Sequence, residues 1–313
     1  MQSYMTSLVL LAAVALPVAA QEPQCQNVNA QAQAACNTMV DATKAFHPLA
    51  GMIVSGGNPV LGSAGTLGGF GHVSAAFRVN AIKASLPNPD SAAQNPVPSS
   101  FNGYLPAPVI EAAVGLYGGQ GGGLLSIDGL ASAVLLPVSR VQGMSVDPDA
   151  PKIGDVALGL GYGARIGLLR GSFPIPALSV SVMRRHLPRV QFGDVNAGDP
   201  ADFATDFDAT NWRVVAGMRV LFADVAAGVG IDHYTSAATI HYFDGLTTHT
   251  VTLDLANTRE VLFANAGLTM GLVKVVAELG YQTGTDQSFA TTFSDFDPKA
   301  GHVFWGAGLR INF

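Results

Sequence analysis

Histidines close to carboxylates are the residues of this chain whose types could support acid–base chemistry. Asp232 and His233 are adjacent near the end of an alternating segment, and such a pair can serve as a general base. Adjacent residues of a β-strand point to opposite faces, however, so these two side chains cannot easily hydrogen-bond to each other. His186, His241 and His249 lie toward polar connections, where we expect solvated histidines. The sequence also lacks GxSxG, HExxH and P-loop motifs, so we predict no enzymatic activity, no metal site and no cofactor.

Charged side chains that recur inside apolar, alternating segments form a second chemically capable set. They occupy the parity opposite to the apolar residues, which places them in the interior if the apolar parity faces lipid. Charges there are stable only when they are paired or hydrated. Two interpretations stay open: a salt-bridge network that fills a narrow barrel, or a wet passage that selects small solutes. The predicted interior residues are Arg78, Glu111, Asp155, Arg165, Arg185, Arg213, Arg219, Asp224, Asp232, Lys274, Glu278 and Arg310.

About ten segments carry this alternation, with large apolar residues on one face and mostly glycine or polar residues on the other. In the third segment we take Leu130, Val134 and Leu136 as the apolar face. Segments of about ten alternating residues are typical of transmembrane β-strands. The segments are residues 72–81, 110–116, 130–138, 155–168, 178–182, 212–222, 224–232, 262–270, 273–282 and 302–313.

The connections between these segments alternate between short and long. The short ones are residues 118–123, 171–176, 222–224 and 271–273. The long, polar ones are residues 87–106, 144–152, 193–210, 235–259 and 284–301. Outer-membrane barrels have short periplasmic turns and long outer loops, so the pattern predicts an even strand number with both ends of the barrel sequence on the periplasmic side.

Composition favours a membrane barrel over a soluble β-sandwich or lipocalin-like barrel. The chain is 49% hydrophobic and only 12% charged, whereas soluble domains carry about 25% charged residues. In a soluble protein the second face would meet water and would be rich in Lys, Glu and Thr, but here it is mostly glycine. We therefore predict an all-β fold: a transmembrane antiparallel up-and-down β-barrel of about ten strands over residues 71–313.

The last segment, His302 to Phe313, alternates Val303, Trp305 and Leu309 with small or polar residues and stops at an aromatic residue. It resembles the final strand of bacterial outer-membrane β-barrels. The resemblance is to a superfamily, and it specifies no activity. It implies an outer-membrane location, contact with outer-membrane lipid, and recognition of Phe313 as an assembly signal by the barrel assembly machinery.

The start of the chain is typical of a secretory signal peptide over residues 1–20. Ser7 to Ala20 is apolar and ends in small residues, which predicts cleavage before Gln21. The segment Met1 to Thr6 has no Lys or Arg, so a buried N-terminal helix and a misassigned start codon remain alternatives. We predict a short helix from Ala30 to Phe46, capped by an asparagine, in an N-terminal periplasmic or plug segment of residues 21–70.

Cys25 and Cys36 are the only cysteines, and they follow the predicted cleavage site, as expected for an oxidising compartment. On one straight helix they would lie roughly 16 Å apart, which is beyond the reach of a disulfide. A disulfide therefore requires the chain to bend between them, and two unpaired thiols are the alternative.

Glycines on the inward parity leave unfilled space in the barrel. We predict that residues 25–60 fold up into or against the periplasmic mouth and restrict the lumen; relief of strain in tightly coiled strands is the alternative. The predicted function is a narrow pore or transporter for a small solute. A structural or surface-interaction barrel without transport is the alternative, and an outer-membrane hydrolase ranks behind both. The net charge of -6 and the absence of a basic patch argue against nucleic-acid partners.

Overall fold

A computed structural model of the chain describes residues 21–26, 29–88, 91–120, 124–136, 144–171, 174–198, 201–284 and 287–313. The predicted signal peptide, residues 1–20, and Val138 of the third predicted strand lie outside the described residues. Among the described residues, no helix is both long and apolar enough to cross a membrane.

Ten antiparallel strands form one closed barrel, as the sequence predicts. Closure is made by the first and last strands, where Phe77 is registered with Leu309, and by Phe313, which exchanges backbone hydrogen bonds with Val73. Two short strands, β4 and β5, pair onto β7 and β6 at one rim. The strands are β1 (Val73–Pro87), β2 (Ser99–Tyr117), β3 (Ser126–Leu136), β4 (Met144–Val146), β5 (Lys152–Ile153), β6 (Val156–Leu169), β7 (Ala177–Phe192), β8 (Ala201–Val220), β9 (Ala223–Phe243), β10 (Thr248–Met270), β11 (Val273–Gln282) and β12 (His302–Asn312).

An apolar band encircles the outside of the barrel and ends sharply. On β10 the outward residues run from Leu262, which is 58% exposed, to Met270, which is 63% exposed. Beyond Leu262 the outward positions become polar, beginning with Glu260 and Thr258. A tilted transmembrane strand needs about 9–11 residues, so residues 262–270 match the hydrocarbon thickness. The step from Leu262 to Glu260 therefore marks one edge of the band. We name the end of the barrel beyond this edge the outer end, and the end with the short turns at residues 222–224 and 271–273 the periplasmic end, as the loop pattern predicts.

Four neighbouring strands continue far past this boundary. We call residues 184–192, 201–211, 232–243 and 248–260, from β7 to β10, the outer extension. At about 3.3 Å per residue, its longest part runs roughly 40 Å along β10. The predicted long loops 193–210 and 235–259 are therefore wrong for most of their length. The outward side of these segments faces water, so they lack the apolar outward residues from which the membrane strands were predicted.

The third strand shows a second correction. Leu130 and Val134 were assigned to the lipid side, but both are buried inside the barrel. Leu130 packs with Val60, Ala113 and Met183 in a small apolar cluster. Because apolar side chains such as Val60 fill the lumen at this level, the apolar face of β3 faces inward.

One helix, α1 (Ala30–Ser55), fills the lumen. It begins at Asn29, whose side chain accepts a hydrogen bond from the Ala32 amide at 3.0 Å, and it extends beyond Phe46, where the sequence pattern predicted its end. Its first half packs on the outer extension and its second half descends into the barrel, where Met52 is buried. Residues 56–71 then continue to the periplasmic end and enter β1. We call residues 30–71 the plug.

The position of the plug corrects the sequence-based expectation. Cys36 and Val40 pack against Ile240 and Leu253, which belong to the outer ends of β9 and β10. The helix therefore starts at the outer end of the barrel. The described residues between 25 and 60 do fold into the barrel, as predicted, but they enter it from the outer end and not from the periplasmic mouth. The outer extension explains why the helix starts there. Its inward face is apolar and lies outside the lipid, and the apolar side of α1 covers this face.

Cys25 and Cys36 form a disulfide with a Cα–Cα distance of 5.8 Å. The bend that this link requires is a 3-10 turn at Pro23–Cys25, which folds the chain back along the helix before α1 begins. The amide of Gln33 donates to the Cys25 carbonyl at 3.2 Å and fixes the turn. The disulfide lies at the outer end of the plug.

Candidate functional site: the charged lumen that holds the plug

Most of the predicted interior charges line the lumen. The structure buries nine of them: Arg78, Glu111, Arg165, Arg185, Arg213, Asp232, Lys274, Glu278 and Arg310. Asp155 is different, because it lies in an exposed turn one residue before β6 begins, outside the alternation. Arg219 lies at the periplasmic end with a side chain 62% exposed, and it pairs there with the partly buried Asp224.

Three arginines and three carboxylates form the central cluster at the middle of the barrel. Arg78 lies 2.8 Å from Glu111 and 3.6 Å from Glu278. Arg213 makes a two-pronged ion pair with Asp232, and the sixth member is Arg185. The positive and negative charges balance, as burial in a low-dielectric interior requires.

Glycines on neighbouring strands make room for these arginines. A Cβ atom at Gly230 would lie 2.6 Å from Cδ of Arg213, and one at Gly161 would lie 2.7 Å from Cγ of Arg185. At these positions the inward glycines accommodate the long side chains of the adjacent strand, while at Gly167 a Cβ would meet Thr66 of the plug at 3.0 Å.

The end of α1 is clamped by two of the arginines. Arg213 donates from Nε to the Gly57 carbonyl at 2.8 Å and from Nη2 to the Gly56 carbonyl at 2.9 Å. Arg78 donates to the carbonyls of Asn58 and Ser55 at 3.0 and 3.2 Å. The last carbonyls of a helix lack partners within the helix and carry the negative end of its dipole, so buried arginines are suited to bind them.

Glu278 holds the opposite side of the same turn. Its two carboxylate oxygens accept from the backbone amides of Gly57 and Asn58 at 2.9 and 2.7 Å. Gly56 has a φ of +59°, and a Cβ there would collide with the guanidinium of Arg78. Arg78, Arg213 and Glu278 thus bind both the donors and the acceptors of residues 55–58, and we call these three residues the clamp.

A hydrogen-bond network extends the clamp toward β7 to β9. Asp232 accepts from the Tyr234 hydroxyl and from the Asn211 amide, each at 2.7 Å. The same amide nitrogen lies 2.9 Å from the Ser55 hydroxyl, and Arg185 donates to the Asn211 side-chain oxygen. The network therefore couples the wall of the barrel to the end of the helix.

The lower part of the plug is held in the same way. Asp128 pairs with Arg165 at 2.6 Å and accepts from the Leu67 amide at 3.1 Å. Arg310 donates to the Leu61 carbonyl at 3.1 Å, and Lys274 donates to the Gly62 carbonyl at 3.3 Å.

Asp128 was missed because the apolar parity of β3 was assigned to lipid. Asp128 shares that parity with Leu130, and Ser126 and Ser132 have it too. These polar residues on the face assigned to lipid were the sequence signal that this face of β3 points inward. The three polar residues at alternate positions mark the inward side of β3.

Polar groups also fasten the outer end of the plug. Asp41 accepts from the amide and the hydroxyl of Thr291, each at 2.7 Å, and burial raises the pKa of Asp41 to about 7, with the neighbouring Glu22 contributing. Lys44 pairs with Glu22 at 2.6 Å and reaches the Ser288 carbonyl at 3.3 Å. These contacts tie the connection between β11 and β12 to the helix.

His47 is a buried histidine that sequence analysis did not single out. Burial lowers the pKa of His47 to about 4, so its imidazole is neutral near pH 7 and accepts from the Asn257 amide at 2.9 Å. Its ring also packs edge-on against Phe207, on the inward face of the outer extension.

The histidines that suggested acid–base chemistry are dispersed over the outer surface. Asp232 is buried in the lumen, whereas His233 points outward to Thr258 at 3.0 Å, as the strand parity indicated. The other three histidines pair with carboxylates on the outer surface: His186 with Asp208, His241 with Asp202 and His249 with Asp244. Within the described part of the chain, no group of three or more histidine, cysteine or acidic side chains could hold a metal ion.

Comparison with solved structures returns bacterial outer-membrane β-barrels. The translocator domain of the autotransporter NalP from Neisseria meningitidis aligns over 87% of this chain and 98% of its own, at 11% identity and a TM-score of 0.46. The outer membrane protease OmpT from Escherichia coli aligns over 78% and 97%, at 12% identity and a TM-score of 0.41. Ail, the attachment invasion locus protein of Yersinia pestis, aligns over 78% and 99%, at 9% identity and a TM-score of 0.32.

The described strands themselves form a closed antiparallel barrel of ten strands, and the solved structures to which the chain is similar are bacterial outer-membrane β-barrels. No protein-family model matches its sequence. No curated protein matches it either.

Proposed function

We propose that this chain is an outer-membrane barrel whose lumen is closed by its own plug and which acts at the cell surface through its outer extension. One observation carries this proposal: the plug is hydrogen-bonded to the barrel wall near its outer end, through His47 and Asn257, at the clamp and at its periplasmic end. The clamp residues are 0–3% exposed, which supports a lumen without a water-filled passage at that level of the described residues. A structural or surface-interaction barrel is thereby favoured over a constitutive narrow pore.

The outer extension is the part that meets a partner. It rises on one side of the barrel only, because β11 ends at Gln282, which is registered with Val261 of β10, and β12 begins at His302. Its outward face carries threonines, histidines and acids, which suit hydrogen bonding in water. We assign it the surface-interaction role, and we assign outer-membrane lipid to the apolar band.

Export and assembly complete the proposal. Residues 1–20 act as a signal peptide, and cleavage before Gln21 leaves the mature N-terminus beside the outer mouth, where Glu22 pairs with Lys44. Phe313 is the residue that the barrel assembly machinery recognises. Its position supports this role, since its backbone closes the barrel against Val73 and its side chain is exposed.

Single-channel recording in planar bilayers tests closure. The intact protein is expected to give no steady conductance, and a variant that lacks residues 30–68 but still folds is expected to conduct. Heat-modifiable mobility on gels confirms folding in both cases. Steady conductance of the intact protein would overturn the proposal of a closed barrel.

The orientation of the plug gives a second test. A peptide tag inserted between Gln21 and Glu22 should react with antibody on intact cells, because the helix starts at the outer mouth. The matched control is the same tag in the turn at Gly271, which joins β10 and β11 on the periplasmic side. Labelling of the Gly271 tag without labelling of the Gln21 tag would contradict the orientation.

A gated pore for a small solute is the second candidate. It is favoured by the chemistry of the clamp, because hydrogen bonds and ion pairs can be exchanged for water, whereas an apolar plug would resist hydration. Brief openings of the intact protein in the same recordings would support this second candidate, and their complete absence would argue against it.

A further inference from the structure

A cavity of about 390 Å³ lies at the outer end of the plug, between α1 and the rim of the barrel. The helix contributes Met39, Ala42 and Phe46 to its walls. The rim contributes Phe203 and Ile240, and these walls are apolar on both sides. Its volume falls within the range of about 300–1,000 Å³ that is usual for small-molecule sites.

The cavity lies outside the membrane. On β8 the apolar band ends at Trp212, and Phe203 lies nine residues farther out along the same strand. Acyl chains therefore do not account for the apolar walls. An apolar concavity that faces water marks a binding site, because soluble surfaces otherwise avoid such patches.

Among the described residues, one polar atom in the lining has no partner. The Thr43 hydroxyl donates to the Met39 carbonyl at 2.8 Å, as threonine often does in helices. Thr38 lines the same cavity, and its buried hydroxyl lacks a hydrogen-bond partner within the described part of the chain. A buried, unpaired hydroxyl is unfavourable, and threonine in a helix has two χ1 rotamers, so rotation about χ1 would present the hydroxyl to a ligand with one donor or acceptor.

Charge in the lining disfavours one ligand class. Asp202 is the acidic residue of the cavity wall, but its carboxylate already accepts from His241 at 2.6 Å and from the Val195 amide at 3.2 Å. A cationic ligand would therefore compete with these two partners for the carboxylate. The volume is also too small for a helix or a second barrel.

We propose that this cavity binds a small, uncharged, apolar molecule with a single hydrogen-bonding group, which the Thr38 hydroxyl recognises. The site stands apart from the clamp, so it would exist in a closed barrel and in a gated pore alike. The bound molecule would lie between the plug and the outer rim, in contact with Phe46 and Phe203.

Fluorescence titration of the full protein in lipid nanodiscs tests the site. The probe is N-phenyl-1-naphthylamine, an apolar fluorophore with one N–H group, and empty nanodiscs measure its partition into lipid. We expect a saturable component above that partition. Ala42→Phe and Ala201→Phe each fill the cavity from a different wall and should abolish this component. The proposal fails if no saturable component exists, or if both folded variants retain it.

Thr38→Val tests the polar contact, since valine keeps the shape and removes the hydroxyl. It should weaken probe binding by roughly 2- to 12-fold, the equivalent of one neutral hydrogen bond. It should not change the Kd of 1-benzylnaphthalene, derived from displacement of the probe, because this competitor has no N–H. Thr252→Val, at an exposed outward position of β10, is the matched control. Equal weakening of the probe and the competitor would overturn the role of Thr38.

Discussion

Replacing Glu278 by glutamine is the smallest change that should release the plug. Glu278 accepts from the Gly57 and Asn58 amides at 2.9 and 2.7 Å and is one of two carboxylates beside Arg78. Glutamine keeps the shape but has one acceptor oxygen, and its NH₂ group would face one of the two amides. The substitution therefore removes one hydrogen bond, turns the other from charge-assisted to neutral, and leaves Arg78 with Glu111 alone.

The size of the effect follows from these contacts. A hydrogen bond to a charged group contributes about 1.5–3 kcal/mol, and a neutral one about 0.5–1.5 kcal/mol. Losing one charged bond and weakening the second should destabilise the seated plug by roughly 2–4 kcal/mol. Since about 1.4 kcal/mol is a factor of ten, the population with a released plug should rise roughly 30- to 700-fold.

Two measurements report this release. In planar bilayers Glu278→Gln should show channel openings that the intact protein lacks. Hydrogen exchange of the Gly57 and Asn58 amides should accelerate by a similar factor. The control is Glu260→Gln, which makes the same chemical change at an exposed outward position of β10. If both readouts for Glu278→Gln match those of Glu260→Gln in folded protein, the clamp does not hold the plug.

Three further outcomes follow from the same structure. The folded-state pKa of Asp41, about 7, lies above its unfolded value near 4, so the stability gained by protonating Asp41 is full below pH 4 and is lost as pH rises toward 7. Asp41→Asn should flatten the plot of unfolding free energy against pH over this range. An unchanged slope would contradict the assignment to Asp41. Ala277→Arg, at the middle of the lipid band opposite Ala266, should cost roughly 2–4 kcal/mol in urea unfolding from vesicles, more than Tyr281→Arg at the band edge, and equal costs would refute the boundary. Deletion of Phe313 should reduce the heat-modifiable, membrane-inserted fraction more than it lowers the stability of the barrel that does form, whereas wild-type insertion would count against its role in assembly.

The membrane part of the barrel could be predicted from sequence because each of its strands follows one pattern, the alternation of lipid-facing and lumen-facing residues. On β8 the residues Trp212, Val214 and Val220 alternate with inward Arg213 and Gly217, and both the lipid and the lumen select that alternation. The short turns and the ends of the apolar band follow from the same residues. Ten strands and their order could therefore be predicted without any structural information.

The outer extension was not accessible by the same pattern. Its inward residues, such as Leu253 and Ile240, are apolar, but its outward residues Thr252 and Thr239 face water, and threonine and aspartate also populate loops. The two faces differ too little in composition for period-2 alternation to be distinguished from a polar connection. Only pairing with an adjacent strand, here β9 with β10, defines these segments as β-structure.

The plug shows why the central charges could be identified but not interpreted from sequence. Parity places Arg78, Arg213 and Glu278 inward, yet it does not specify what they bind. Their partners are backbone atoms of residues 55–58, and backbone groups leave no signature in a sequence. The direction of α1 could not be predicted for a related reason. The apolar inward face of the outer extension sets this direction, and the sequence pattern assigned the outer extension to loops.

The proposed closure of the lumen rests on the hydrogen bonds that the clamp makes to the plug. With the plug seated, Arg213 binds two carbonyls of the helix end and Asp232, so its guanidinium is saturated. Without the plug, the central cluster keeps its charge balance but loses the backbone partners, and each buried group then needs water. Opening therefore requires hydration of the cluster at the same time as departure of the helix. We therefore expect a lumen whose charges are completed by its own plug to be closed at rest, and anything that opens it must replace those backbone bonds.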